Sequence, residues 1–132
     1  MAVRILFLLL ALSWPAAAAQ DWMQDVLGAY EGPVLNDGQI ERGATTFGID
    51  AAGQLTGHYR IDDPSPFEGE LTDFREDAPY SGSFTWHDRY GEGIVHIVFD
   101  PDHGRFLGLW GASQPLEGHI FNGYRDAPHV GS

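Results

Sequence analysis

The chain is 132 residues long and carries no cysteine, no lysine and 19 acidic against seven basic side chains, a formal charge of −12. Disulfide stapling and thiolate chemistry are therefore excluded, and a field of that sign opposes docking on nucleic acid or anionic lipid. The length suits one domain built around a single core of modest size.

Residues 1–19 have the layout of a secretory signal peptide, with Arg4 as the positive start, an apolar run from Ile5 to Leu12, and Ala17-x-Ala19 as a small-residue cleavage site. The run is shorter than the roughly 18 residues a spanning helix needs, and Pro15 interrupts it. Cleavage before Gln20 leaves six arginines against 19 acids, a charge of −13, in a periplasmic or secreted product with no membrane contact after cleavage. Residues 20–29 (QDWMQDVLGA) pair Trp22 with Val26 and Met23 with Leu27 at i,i+4 spacing, which predicts a short amphipathic helix. So short a helix is unstable alone, and the open end of a sheet or barrel would suit its apolar side.

From Tyr30 to Arg125 the apolar period becomes two, the signature of half-buried antiparallel strands. Tyr30-x-Gly32-x-Val34 is followed by a loop at Asn36-Asp37-Gly38, then by Thr45, Phe47 and Ile49 on one side. Leu55-x-Gly57-x-Tyr59-x-Ile61 comes after the Asp50–Gly53 turn, and Phe67-x-Gly69-x-Leu71 after a break containing Pro64 and Pro66. Arg75 to Pro79 is a polar break leading to Tyr80-x-Gly82-x-Phe84-x-Trp86, which has the cleanest alternation in the chain. Ile94 to Phe99 is apolar on both sides apart from His96, so it is expected either to be covered on both faces or to lie against the N-terminal helix. Phe106-x-Gly108-x-Trp110 and a last segment from Leu116 to Arg125 complete the series, and residues 126–132 form a tail.

Six glycines (Gly32, Gly57, Gly69, Gly82, Gly108, Gly123) recur inside these strands, each with a bulky neighbour two residues away on the same face. Glycine weakens a strand, so its repetition needs a geometric reason. A sheet curling towards closure crowds its concave side, and rings then fold over the bare backbone. The prediction is an all-β, up-and-down antiparallel meander of seven or eight strands, closed or nearly closed into a barrel.

Phe47-x-Ile49-x-x-x-Gly53-x-Leu55-Thr56-Gly57-x-Tyr59 resembles the hairpins of avidin-type eight-stranded barrels, and the resemblance implies a ligand pocket at one barrel mouth; biotin binding is not carried over. Tyr80-x-Gly82-x-Phe84 with Gly91-x-Gly93 is similar in spacing to one MORN repeat. The half from Tyr80 to Arg125 resembles uncharacterised bacterial exported domains that end in aromatic-x-Gly-x-aromatic strands, a likeness that brings no activity with it.

Candidate chemistry concentrates in few places. His87, Asp88 and Glu92 crowd one turn beside Tyr90, where a histidine near two carboxylates would suit a base or a metal ligand. Turns favour these residue types for backbone reasons as well. Asp100 and Asp102 lack the further oxygen ligands of a calcium loop, and His58, His96 and His119 show no ligand spacing, His96 fitting a satisfied core group. No nucleophile elbow, phosphate loop or H-E-x-x-H occurs, so no catalytic residue, metal or cofactor is assigned. Tyr59, Phe67, Phe84, Trp86 and Trp110 on the glycine-bearing faces would either fill the core or, near a rim, leave a cleft for a small apolar molecule. The expected ligand-contacting set is Tyr59, Trp86, His87, Tyr90 and Trp110. The leading expectation is an exported non-enzymatic binding or accessory domain for a small apolar molecule or a protein partner. The alternatives are a small hydrolase or metal-dependent enzyme at His87/Asp88/Glu92, and an assembly protein pairing through sheet edges.

Overall fold

The computed structural model describes residues 21–125. The expected signal peptide and tail lie outside these residues. Eight antiparallel strands close into a barrel in simple chain order: β1 (Gly28–Asn36), β2 (Gln39–Ile49), β3 (Leu55–Asp62), β4 (Phe67–Ala78), β5 (Ser81–Asp88), β6 (Gly91–Asp100), β7 (Arg105–Gly111) and β8 (Gly123–Tyr124). Short local signals fix the hairpins. Asp37 and Gly38 both take positive φ, 53° and 77°, which matches a two-residue connection to the twist of its strands. Asp50 turns β2 into β3 by accepting the Ala52 and Gln54 amides, each at 2.9 Å.

Closure depends on an irregular last segment. Only Gly123 and Tyr124 form a ladder, Tyr124 opposite both Glu31 and Arg105, so the strand expected over Leu116 to Arg125 is far shorter. The preceding residues close the remaining gap singly, with bridges from Phe121 to Val34 and from Ile120 to Leu109, and hydrogen bonds Leu35 N–H to Ile120 O and Asn122 N–H to Pro33 O. Leu116 sits in the loop and is exposed.

The inward-facing set is the one the period-two pattern selects. Phe47, Leu55, Tyr59, Ile61, Leu71, Phe84 and Phe106 are buried, while His58, Arg60, Glu68 and Glu70 face out. Rings fill the middle of the barrel: Phe47 lies 5.0 to 5.8 Å from Tyr30, Phe84, Phe99 and Phe106. The six strand glycines lie where a Cβ would collide, five of them fully buried. At Gly123 the space is taken by the Phe106 ring, and at Gly69 by the Tyr59 ring.

Four expectations are corrected. Residues 20–29 do not hold an α-helix: Asp21–Val26 is a 3-10 turn, and β1 already begins at Gly28. Six residues cannot sustain α-helical cooperativity, and the 3-10 spacing puts Met23 and Val26, three apart, on one buried side. This turn does cover one end of the barrel, with Trp22 against Tyr80 (5.1 Å), Phe74 and Phe99 (both 6.0 Å) and its indole N–H donating to Glu76 at 3.1 Å. Second, the polar stretch from Arg75 is not a break, because β4 runs on to Ala78 through register shifts at Asp73 and Asp77. Asp73 takes φ 55°, and the inserted residue returns Phe74 to the buried face three positions after Leu71. Third, Tyr80 is not in strand phase; it stands at the turn with φ 68° and packs on Trp22. Fourth, β6 is covered on one face only: Val95, Ile97 and Phe99 are buried, whereas Val98 on its other side is 46% exposed, as are Leu107 and Leu109 at about 40%.

Candidate functional site

The 3-10 turn plugs one end of the barrel, and the opposite mouth holds a cavity of about 100 Å³. Its wall comes from strand ends: Val34, Leu35 and Asn36 of β1, Tyr59 and Ile61 of β3, Phe67 of β4, Trp86 and Asp88 of β5, Trp110 of β7, with Phe121 and Tyr90 between strands. Alternation delivers several of these side chains, with Val34 and Asn36, Tyr59 and Ile61, and Trp86 and Asp88 each two positions apart on one face.

The indoles are held by their N–H groups. Trp86 donates to Gly111 O at 3.1 Å and Trp110 to Leu35 O at 3.0 Å, and the two rings meet edge to face at 5.8 Å and 90°. Tyr59 lies over the bare backbone of Gly69, contacts Phe121 at 5.5 Å, and donates its hydroxyl to Asp88 Oδ2 at 2.6 Å. Burial first, then the hydrogen bond to Asp88 and the charges of Asp88 and Glu70, push its phenol far above the ordinary range. It is a fixed neutral donor, not a base. Asp88 Oδ1 accepts the Tyr90 amide at 2.8 Å. At the rim Tyr90, 63% exposed, stacks edge to face on Phe67 at 5.0 Å. The Arg89 guanidinium spans both rings and donates to Ser65 O at 2.9 Å.

Of the five expected ligand-contacting residues, Tyr59, Trp86, Tyr90 and Trp110 line this cavity and His87 does not. Consecutive residues of a strand point to opposite faces, so Asp88 enters the mouth while His87 stays outside. The expected cluster of His87, Asp88 and Glu92 is thereby split. His87 Nδ1 is 3.0 Å from Glu92, its cross-strand partner, and Nε2 is 3.1 Å from the Thr72 hydroxyl. A hydroxyl on Nε2 and a carboxylate on Nδ1 have the connectivity of a nucleophile relay. It stands, however, on the outer sheet surface, with His87 and Glu92 side chains 43% and 68% exposed, and none of its residues lines the mouth cavity.

A second serine–histidine–aspartate group, not legible in the sequence, joins β4, β5 and β6. Ser81 donates to Asp77 Oδ1 at 2.7 Å, and His96 Nε2 lies 2.8 Å from Asp77 Oδ2 but 3.4 Å from the Ser81 hydroxyl. The serine proton points to the carboxylate instead of the imidazole, so the wrong atom is primed for nucleophilic work. Hydrogen bonds from Ser81 and then His96 hold the Asp77 carboxyl below its usual value. His96 is thus an outer-face residue and not a core group.

The remaining expected positions are structural. Asp100 accepts from His103 at 3.0 Å and Arg105 at 3.1 Å, which lower its pKa, the His103 bond most. His58 pairs with Glu68 at 3.1 Å. His119 lies beside Trp110 at 4.9 Å with a buried Nδ1 that has no hydrogen-bond partner among the described residues. Among the described residues no three His, Asp or Glu side chains converge in a way that could hold a metal ion, and no helix is long and apolar enough to cross a membrane. In comparisons with protein-family models, curated proteins and solved structures, nothing matches the chain.

Proposed function

We propose that the chain is an exported, non-enzymatic binding or accessory domain that takes a small apolar or aromatic molecule into the open barrel mouth. One observation carries this reading: a barrel packed solid with rings along its middle and plugged at one end keeps a cavity at the other, walled by Tyr59, Trp86, Trp110 and Tyr90. Few pockets per protein combine apolar walls with a small number of fixed polar groups, and that combination is the common form of a ligand site. Export is supported by the residue pattern of 1–19.

The hydrolase alternative at His87, Asp88 and Glu92 loses Asp88 to the mouth, and the Thr72–His87–Glu92 chain that remains lines no part of the mouth cavity. Edge pairing needs unpaired strand backbone, and closure through β8, Phe121 and Ile120 takes up the edges of β1 and β7. A membrane-inserted barrel needs an outward apolar band; β3 and β4 turn His58, Arg60, Glu68 and Glu70 outward instead.

The test is a titration of the protein lacking residues 1–19 with benzyl alcohol, a neutral single-ring probe, followed by tryptophan fluorescence. Saturable binding is expected, abolished in Trp110→Leu and Trp86→Leu variants that still unfold cooperatively. Absence of saturable binding, or identical binding in both variants, would refute the mouth as the site.

A further inference from the structure

Resting on that reading, we infer that the mouth accepts the cationic head of an organic ammonium compound. Its walls offer π faces and one carboxylate and almost no free donors. Both indole N–H groups are spent on the carbonyls of Gly111 and Leu35, and the Tyr59 hydroxyl is spent on Asp88. Among the wall's polar side chains only Asn36 and Tyr90 keep a hydrogen to donate, so an anion or a carbonyl ligand finds few partners there. A cation finds the rings of Trp86 and Trp110 in the wall, the kind of group that attracts ammonium ions.

Asp88 supplies the countercharge. It accepts one bond on each oxygen, from Tyr59 and from the Tyr90 amide, and an ionised carboxylate has about four acceptor sites, so capacity remains. Those two bonds also fix its orientation. The surroundings reinforce the sign. The loops and strand ends at this mouth carry Asp37, Asp63, Asp88 and Glu117, together with Asp62 paired with Arg42 and Arg60, beside Arg89, which is turned to the Ser65 carbonyl and stacked on Phe67 and Tyr90. A net charge of −12 concentrates cations near the whole surface.

Size narrows the class. An enclosed apolar cavity of about 150 Å³ holds benzene, so the roughly 100 Å³ here, open at its rim, suits one compact group, a single ring or a trimethylammonium, with the rest of the ligand projecting past Tyr90.

The experiment compares choline with 3,3-dimethylbutan-1-ol, which has the same shape without the charge, by calorimetry on the protein lacking residues 1–19. Choline is expected to bind at least about tenfold more tightly, with a preference that shrinks as salt is added. Asp88→Asn is expected to remove most of the preference, with cooperative urea unfolding reporting that the variant is folded. Equal affinities in the wild type overturn the inference while leaving the pocket reading intact, as does benzyl alcohol binding with no choline binding. An undiminished preference in Asp88→Asn overturns the role of the carboxylate. Failure of all three probes to bind removes both the inference and the reading beneath it.

Discussion

Gly69 and Tyr59 show how one missing side chain sets the geometry of the mouth. A Cβ at Gly69 would run into the Tyr59 ring and the His87 carbonyl, so Gly69→Ala is expected to cost about 1–3 kcal/mol by overpacking and to move the Tyr59 hydroxyl off Asp88. Urea denaturation measures the first effect and loss of probe binding the second. Tyr59→Phe removes the bond at its source while keeping the ring. A hydrogen bond to a charged group contributes about 1.5–3 kcal/mol, and because Asp88 is half-buried the lower end, ~1.5 kcal/mol, is expected in the same denaturation experiment. Much of this scale was legible in the sequence. Placing Tyr59, Trp86 and Trp110 on glycine-bearing faces needs only alternation, which also puts His87 outward with Ser81, Ser83 and Thr85 and, one residue further, sends Asp88 inward. The turn pattern that begins at His87 hides that last step. Thr72, Asp77 and Ser81 were out of reach, since their partners are set by the strand register and not by spacing along the chain.

At the scale of elements, the strands follow from their pattern and the exceptions have physical causes. Period two fails wherever a residue is inserted: the shift at Asp73 brings Phe74 into the core and lets β4 cross a stretch that reads as a loop. The apolar outer positions Val98, Leu107 and Leu109 face solvent, so hydrophobicity on both sides of β6 and β7 misreports burial. The N-terminal plug was expected as a helix and is a 3-10 turn, but its task, covering one barrel end, was implied by its apolar side. Trp22 anchors it among Phe74, Tyr80 and Phe99. Trp22→Ala is expected to destabilise the domain by about 3–5 kcal/mol, with the urea midpoint falling and the probe affinity of the distant mouth barely altered. A loss of mouth affinity equal to that of Trp110→Leu would show instead that the two ends are not independent.

For the whole molecule, charge and closure decide behaviour. Asp77 and Asp100 titrate below their ordinary value when folded, so their stabilising contribution is complete above about pH 4 and is lost as the pH falls further. Asp77→Asn is therefore expected to flatten the fall of the urea midpoint below pH 4. At the other extreme the folded state holds Tyr59 and Tyr30 neutral, chiefly through burial, and Tyr80 through its bond to Asp25. Raised values stabilise fully below about pH 10 and cease to as pH climbs past it, so the phenolate absorbance of Tyr59 is expected to appear together with alkaline unfolding and not before. The measurement that bears most directly on the account is a two-dimensional NMR titration with benzyl alcohol, read at the tryptophan indole N–H signals. Trp86 and Trp110 are expected to shift together and saturably while Trp22, at the plugged end, stays still. Movement of Trp22 with Trp86 and Trp110 unchanged, or no movement at all, would contradict a ligand site at the open mouth.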